Sequence, residues 1–111
     1  MKEGGFVNQD KMYLINKLFN NETIRTIWDK EQEKYFISVV DIVRVLTGSN
    51  RPRKYWSDLK NNLKNEGFEV SEKIGQLKLK SQDNKYRLTD VTDIEGMFRI
   101  IESIRSEEHT S

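Results

Sequence analysis

The sequence predicts a single α+β domain with two β-hairpins and three to four helices. Three observations support this prediction. The chain has 111 residues, the size of one domain. β-branched and aromatic residues cluster in short runs separated by turn residues, as in hairpins. Between these runs, apolar residues recur at helical spacing. The order of elements is also compatible with a helix-turn-helix accompanied by a β wing.

The first predicted hairpin comprises residues 23–28 and 35–37. Both runs are rich in strand-forming residues, and the charged residues 29–34 connect them. A helix is expected to follow from Ser38, because Ser38 and Asp41 have the spacing of a capping box with Asp in place of Glu. Its predicted apolar face consists of Val39, Ile42, Val43 and Leu46, and residues 47–50 end it.

The second predicted helix has separate apolar and basic faces. Pro52 suits its first position, and Gly67 suits the residue just past its end. At helical periodicity one stripe is apolar and the other holds only basic and small polar groups. The apolar stripe consists of Trp56, Leu59 and Leu63. The other stripe consists of Arg53, Ser57, Lys60 and Lys64.

A second hairpin and a last helix are predicted to complete the domain. Residues 76–80 alternate strictly, so Leu77 and Leu79 should point inward while Lys78 and Lys80 point outward. Residues 81–84 form the turn, and residues 86–88 return as the partner strand. Thr92 and Glu95 have capping-box spacing and should start the last helix. The side chains expected to face inward there are Ile94, Met97, Phe98, Ile101 and Ile104. Trp28, Phe36 and Trp56 are also assigned to the core.

Positive charge is concentrated in the middle of the chain. Residues 51–87 contain ten basic and five acidic residues, although the whole chain has 19 Lys and Arg against 18 Asp and Glu. A basic helix face and a basic hairpin are common ways to meet phosphates. The candidate contacts are Arg51, Arg53, Lys54, Lys60, Lys64, Lys78, Lys80, Lys85 and Arg87. Two plainer explanations remain open, namely a solvated helix face and lysines that discourage pairing of a strand edge.

Composition and motifs give little support to catalysis or membrane attachment. The absence of cysteine excludes disulfides, thiolate metal sites and a cysteine nucleophile, and it agrees with a cytoplasmic location. No run approaches the length of a membrane span, so no membrane partner is expected. The carboxylates near element starts each have an explanation as helix-capping or first-turn residues, and His109 has no catalytic neighbours in the sequence. Neither a metal site nor a cofactor is predicted.

Five motifs follow one another along the chain: IRTIWD, YFISVVDIVRVL, YWSDLK, QLKL and LTDVTDIEGMFRIIESI. In this order and spacing they resemble the N-terminal domain of the BRO family, which occurs in viral BRO proteins and in phage or prophage antirepressors. The segment is also similar to a region of bacterial DNA-damage-inducible D-type proteins. The resemblance covers roughly residues 18–104, and residues 18–106 are assigned to the domain. Residues 1–17 are assigned to an N-terminal arm of uncertain structure, and residues 107–111 to a disordered tail.

The resemblance implies a module that binds double-stranded DNA in transcriptional control, with no enzyme activity and no cofactor. An antirepressor can also act by binding a repressor or another regulatory protein, which is the second hypothesis. A metal-dependent nuclease is a third and weaker one. The sequence leaves open whether the chain forms a homo-oligomer.

Overall fold

A computed structural model describes Lys17, Phe19 and residues 24–81 and 83–109. Over residues 24–81 and 83–109 it confirms an α+β domain with two β-hairpins, three longer helices and one short helical turn. The elements are β1 (Thr26–Asp29), β2 (Lys34–Ser38), α1 (Val39–Thr47), α2 (Pro52–Asn65), α3 (Val70–Lys73), β3 (Ile74–Lys80), β4 (Tyr86–Thr92) and α4 (Ile94–His109). Apart from Lys17, the predicted arm of residues 1–17 lies outside the described residues.

The four strands form one antiparallel sheet in the order β1-β2-β4-β3. Strands β3 and β4 pair along their whole length, whereas β2 pairs with β4 only through Ile37 with Thr92 and Ser38 with Val91. The rest of β4 therefore extends beyond β2, and with β3 it forms a two-stranded ribbon. We call residues 76–80 and 86–90, together with their connecting turn, the ribbon.

The two hairpin turns lie at opposite ends of the sheet. Strand β2 runs antiparallel to β4, so the turn before β2 points away from the tip of the ribbon. The first turn is shorter than predicted, because Asp29 and Lys34 pair with each other as strand residues. Residues 30–33 thus form the connection, in which Glu33 has a φ of 53°.

Helix α1 begins as predicted, but its acidic residue has a different partner. The Asp41 N–H donates to Ser38 Oγ at 3.4 Å, which is half of a capping box. The Asp41 carboxylate accepts instead from the Arg25 backbone N–H and Nε, each at 2.8 Å, and from Arg25 Nη2 at 3.1 Å. Asp41 is therefore a buried partner of Arg25, which lies just before β1. The helix ends at Thr47, and Gly48 closes it with a φ of 69°.

Helix α2 confirms the predicted boundaries and apolar stripe. Pro52 occupies the first turn, where its missing N–H costs nothing, and Gly67 follows the end with a φ of 95°. Trp56, Leu59 and Leu63 are buried. The three side chains hold α2 against the core and leave its opposite face exposed.

One core joins the sheet to the three longer helices. Its buried members are Phe19, Ile37, Val39, Ile42, Val43, Trp56, Leu59, Leu63, Met97, Ile100, Ile101 and Ile104. The assignment of Phe98 to the core is wrong, since 42% of its surface is exposed. Ile100, which was not among the side chains predicted to face inward, is buried in the same helix. Trp28 and Phe36 are only half-buried.

Asp93, and not Thr92, caps helix α4. The Gly96 N–H donates to Asp93 Oδ1 at 2.9 Å. Thr92 is instead the buried last residue of β4, and its hydroxyl donates to the Lys73 carbonyl oxygen at 3.1 Å. At its other end α4 continues through His109, so the tail predicted to begin at residue 107 is helical over its first three residues.

Replacing Gly96 by alanine is expected to destabilise the domain by about 1 kcal/mol, although alanine usually favours a helix. A Cβ at this position would overlap the Thr92 hydroxyl, which is buried and held by Lys73. Thermal or urea unfolding measures the effect. Gly75→Ala is the control, because its Cβ would meet only Val91 Cγ2 at an ordinary 3.8 Å. A Gly96→Ala variant as stable as the wild type would contradict this prediction.

Candidate nucleic-acid interface

The basic residues of helix α2 divide into exposed cations and cations held by carboxylates. Arg51, Arg53 and Lys64 are exposed, and the described residues contain no ion-pair partner for them. Lys54 is also exposed but forms an ion pair with Asp58 at 3.4 Å, one helical turn away. Such an exposed pair is weak and can be broken at little cost.

Lys60 is not a free surface cation, and it joins α2 to the ribbon. Its Nζ lies 3.2 Å from Asp90 Oδ2 and 5.6 Å from the centre of the Trp56 ring. Trp56 Nε1 donates to the same oxygen at 2.7 Å, and Gln76 Nε2 donates to Asp90 Oδ1 at 3.0 Å. One carboxylate of β4 thus accepts from two residues of α2 and one of β3. The prediction that Lys60 contacts phosphate is therefore weakened, because its charge is already neutralised.

The electrostatics of this junction favour an ionised Asp90. Burial acts to raise the pKa of Asp90, but hydrogen bonds from Trp56, Gln76 and Lys60 outweigh burial and place the pKa below its ordinary value of 3.8. The junction is therefore a stable charged network at neutral pH.

The ribbon has one face on the same side as helix α2. In an antiparallel pair, directly opposed residues share a face, and so do alternate residues along each strand. Gln76 is paired with Asp90, Lys78 with Leu88, and Lys80 with Tyr86, so all six belong to the face that α2 touches at Asp90. Beyond the junction the exposed members of this face are Lys78, Lys80, Tyr86 and Leu88, which we call the ribbon face.

The turn of the ribbon has one unpaired basic residue, Lys85, and one ion pair between Arg87 and Asp83. Lys85 is exposed, and its backbone N–H donates to Asp83 Oδ1 at 3.2 Å. Arg87 lies on the other face of the ribbon and is paired with the Asp83 carboxylate. Hydrogen bonds from the Ser81 hydroxyl and Arg87 hold the pKa of Asp83 far below its usual range. Asp83 is therefore a structural residue of the turn.

The two elements that carry the predicted basic patches, α2 and the ribbon, are in contact at Asp90. Six of the nine predicted contacts are exposed and lack an ion-pair partner among the described residues: Arg51, Arg53, Lys64, Lys78, Lys80 and Lys85. The other three, Lys54, Lys60 and Arg87, are ion-paired. Asp58 of α2 and the ribbon carboxylates Asp83 and Asp90 are each ion-paired, so the unpaired charges in this group of residues are positive.

Sequence reasoning missed four residues of this surface. Asp90 and Gln76 form the junction, while Tyr86 and Leu88 are the exposed apolar members of the ribbon face. The available signal was the alternation of β4, in which Tyr86, Leu88 and Asp90 share one face. It could have shown that Tyr86 and Leu88 lie on the face opposite Leu77 and Leu79, which were predicted to point inward.

A metal-binding cluster is absent from the described side chains. Within residues 24–81 and 83–106, no three His, Asp or Glu side chains lie close enough to hold a metal ion. A cleft of about 330 Å³ is lined by Phe68, Lys73, Glu95 and Arg99, among others. Lys73 pairs with Glu95 at 3.4 Å and Arg99 with Glu66 at 3.8 Å, so four of the five charged side chains that line the cleft are ion-paired.

None of the helices in the described part of the chain combines the length and the apolar character needed to cross a membrane. Comparisons of the chain with protein-family models, with curated proteins and with solved structures find no match.

Proposed function

We propose that this domain binds double-stranded DNA, mainly through phosphate contacts, as the cytoplasmic DNA-binding module of an antirepressor-type transcriptional regulator of a phage or prophage. The observation that supports DNA binding is the joined surface of α2 and the ribbon face, with its unpaired cations. The regulatory role rests on the resemblance of the sequence motifs to the BRO family N-terminal domain. The function needs no catalytic group and no cofactor.

The unpaired cations are the better candidates for phosphate contacts. A cation that neutralises a phosphate releases the counterions of the DNA, so each contact steepens the dependence of affinity on salt. Lys60 has its charge matched by Asp90, and its removal would also disturb the Trp56 hydrogen bond. Tests of binding should therefore change Arg53 and Lys64 and leave Lys60 in place.

Changing Arg53 and Lys64 together to glutamate is expected to weaken DNA binding at least tenfold at physiological salt. The slope of log affinity against log salt should become shallower by about 1.8, because two phosphate contacts are lost. Fluorescence anisotropy with a random-sequence duplex, from about 50 to 200 mM salt, measures both quantities.

The control for charge is Lys30→Glu, since Lys30 is exposed in the turn at the end of the sheet opposite the tip of the ribbon. It makes a single charge reversal away from the proposed surface and should leave the slope unchanged. If the control and the double variant lose the same DNA affinity for each charge reversed, binding depends only on the net charge of the protein. Wild-type affinity and slope in the double variant would refute phosphate binding by α2.

A protein-interaction module is the second candidate function, and exposed apolar side chains favour it. Tyr86, Leu88 and Phe98 are 67%, 64% and 42% exposed. Apolar surface of this kind often marks a partner site. A pull-down from a host extract treated with nuclease tests it: recovery of a repressor without DNA would favour this function over direct DNA binding.

A further inference from the structure

The ribbon face combines two exposed apolar side chains with two lysines. Tyr86 and Leu88 are two residues apart on β4, and they are directly opposed by Lys80 and Lys78 on β3. The apolar side chains are about two-thirds exposed. Lysines on a ribbon have an ordinary explanation, because they discourage pairing of strand edges. This explanation does not account for Leu88 and Tyr86.

The charge around these apolar groups indicates an anionic partner. Lys78, Lys80 and Lys85 are exposed and unpaired within the described residues. The two carboxylates of the ribbon are both matched, Asp83 by Arg87 and Asp90 by Lys60. The ribbon face therefore presents net positive charge and apolar surface to the same partner.

The major groove of DNA offers groups that match both features. It is about 12 Å wide and admits a two-stranded β-ribbon, whereas the minor groove is only about 6 Å wide. It displays the acceptor atoms of guanine to cations and the methyl group of thymine to apolar side chains. Phosphates line both edges of the groove. A ribbon with alternating lysine and apolar groups across its strands is complementary to this surface.

We propose that the ribbon face enters the major groove of duplex DNA, where Leu88 and Tyr86 contact thymine methyl groups and Lys78 and Lys80 contact guanine acceptors or phosphates. This inference rests on the proposed function and adds to it a mode of base contact. It predicts a preference for methyl-bearing bases that phosphate contacts by α2 cannot produce.

The test compares binding to two duplexes of the same AT-rich sequence, one with thymidine and one with every dT replaced by dU. This replacement removes the methyl groups and keeps base pairing. The wild-type protein should bind the dU duplex more weakly, by about fourfold for each methyl group buried. Leu88→Ala should bind the two duplexes with more nearly equal affinity, because the contact is already lost.

Two further variants make the comparison specific. Leu88→Met keeps an apolar side chain of similar volume and should retain most of the discrimination. Phe98→Ala removes an exposed apolar side chain of α4 and should discriminate like the wild type. Leu88 is largely exposed, so its replacement should leave the melting temperature nearly unchanged, which a thermal scan verifies.

The outcomes separate this inference from the proposed function. Equal wild-type binding to both duplexes would overturn the ribbon contact and leave phosphate binding intact. Discrimination that persists unchanged in both Leu88→Ala and Tyr86→Ala would also overturn it, because the methyl groups would then act elsewhere. Failure of the wild type to bind either duplex at low salt would refute the proposed function together with this inference.

Discussion

Replacement of Arg25 by alanine is expected to lower the free energy of unfolding by about 3 kcal/mol. The guanidinium donates from Nε and Nη2 to Asp41, whose side chain is only 8% exposed. The backbone N–H of residue 25 would still donate to Asp41, but a buried carboxylate would lose its counterion. Nη1 also donates to the Lys80 carbonyl oxygen at 3.0 Å, so the variant loses a link between β1 and the ribbon as well.

Urea unfolding of the single and double variants tests this prediction. If the unpaired carboxylate causes the loss, Arg25→Ala combined with Asp41→Ala should be more stable than the sum of the single changes predicts. The control is Arg87→Ala, because its ion pair with Asp83 is about half exposed and should contribute less than about 1 kcal/mol. Equal losses in Arg25→Ala and Arg87→Ala would contradict the argument from burial.

Replacement of Asp90 by alanine is expected to cost about 2 kcal/mol. Trp56 is 3% exposed, so its indole N–H would be left buried without an acceptor. Lys60 and Gln76 would lose the same acceptor. Lys60 is half-buried and Gln76 is exposed, so both side chains can turn toward water. Asp90→Asn should also be destabilising, because one amide oxygen cannot replace both carboxylate oxygens and its NH₂ group would face donors.

Asp90 also makes the stability of the domain depend on pH. The pKa of Asp90 is lowered in the folded protein, so the unfolded chain binds more protons as the pH falls below about 4. The contribution of Asp90 is fully present above its ordinary pKa of 3.8 and is lost as the pH falls toward the lowered value. Asp93, whose pKa is also lowered, acts in the same direction.

Unfolding measured at pH 7 and between pH 3 and 5 tests both statements about Asp90. The wild type should lose stability on acidification more steeply than Asp90→Asn, which cannot titrate at this position. The residual acid sensitivity of the variant should include the contribution of Asp93. Parallel curves for the wild type and Asp90→Asn would show that the junction does not hold an ionised carboxylate.

Helix α2 could be predicted from the sequence because its signals are local. Pro52, the stripe of Trp56, Leu59 and Leu63, and Gly67 all lie in or next to the helix, and each has the expected place. The inward face of α4 was harder to predict, because Met97 and Phe98 are adjacent and differ by one step around the helix. In the folded domain Met97 is buried in the core, whereas Phe98 is exposed.

The partners of charged residues could not be predicted, because they are distant in the sequence. Lys60 and Asp90 are 30 positions apart, and Arg25 and Asp41 are 16 apart. Local rules therefore assigned Asp41 to a capping box and Lys60 to a uniform basic face. The ion pair of Arg87 with Asp83, four residues apart, is closer in the sequence, but it depends on a turn whose Asn84 has a φ of 67°.

The two hairpins are joined by only two residue pairs between β2 and β4, so the length of the ribbon can vary. Only Ile37 and Ser38 of β2 pair with β4, and nearer its tip the ribbon is also held by Arg25, which donates to the Lys80 carbonyl oxygen. Adding two residues to each strand would carry Lys78 and Lys80 farther from the helices and keep their orientation. Adding one residue to each strand would move the side chains beyond the insertion to the opposite face of the ribbon. Lengthening in steps of two therefore preserves the ribbon face, but it separates the Lys80 carbonyl oxygen from Arg25 and moves the buried Leu79.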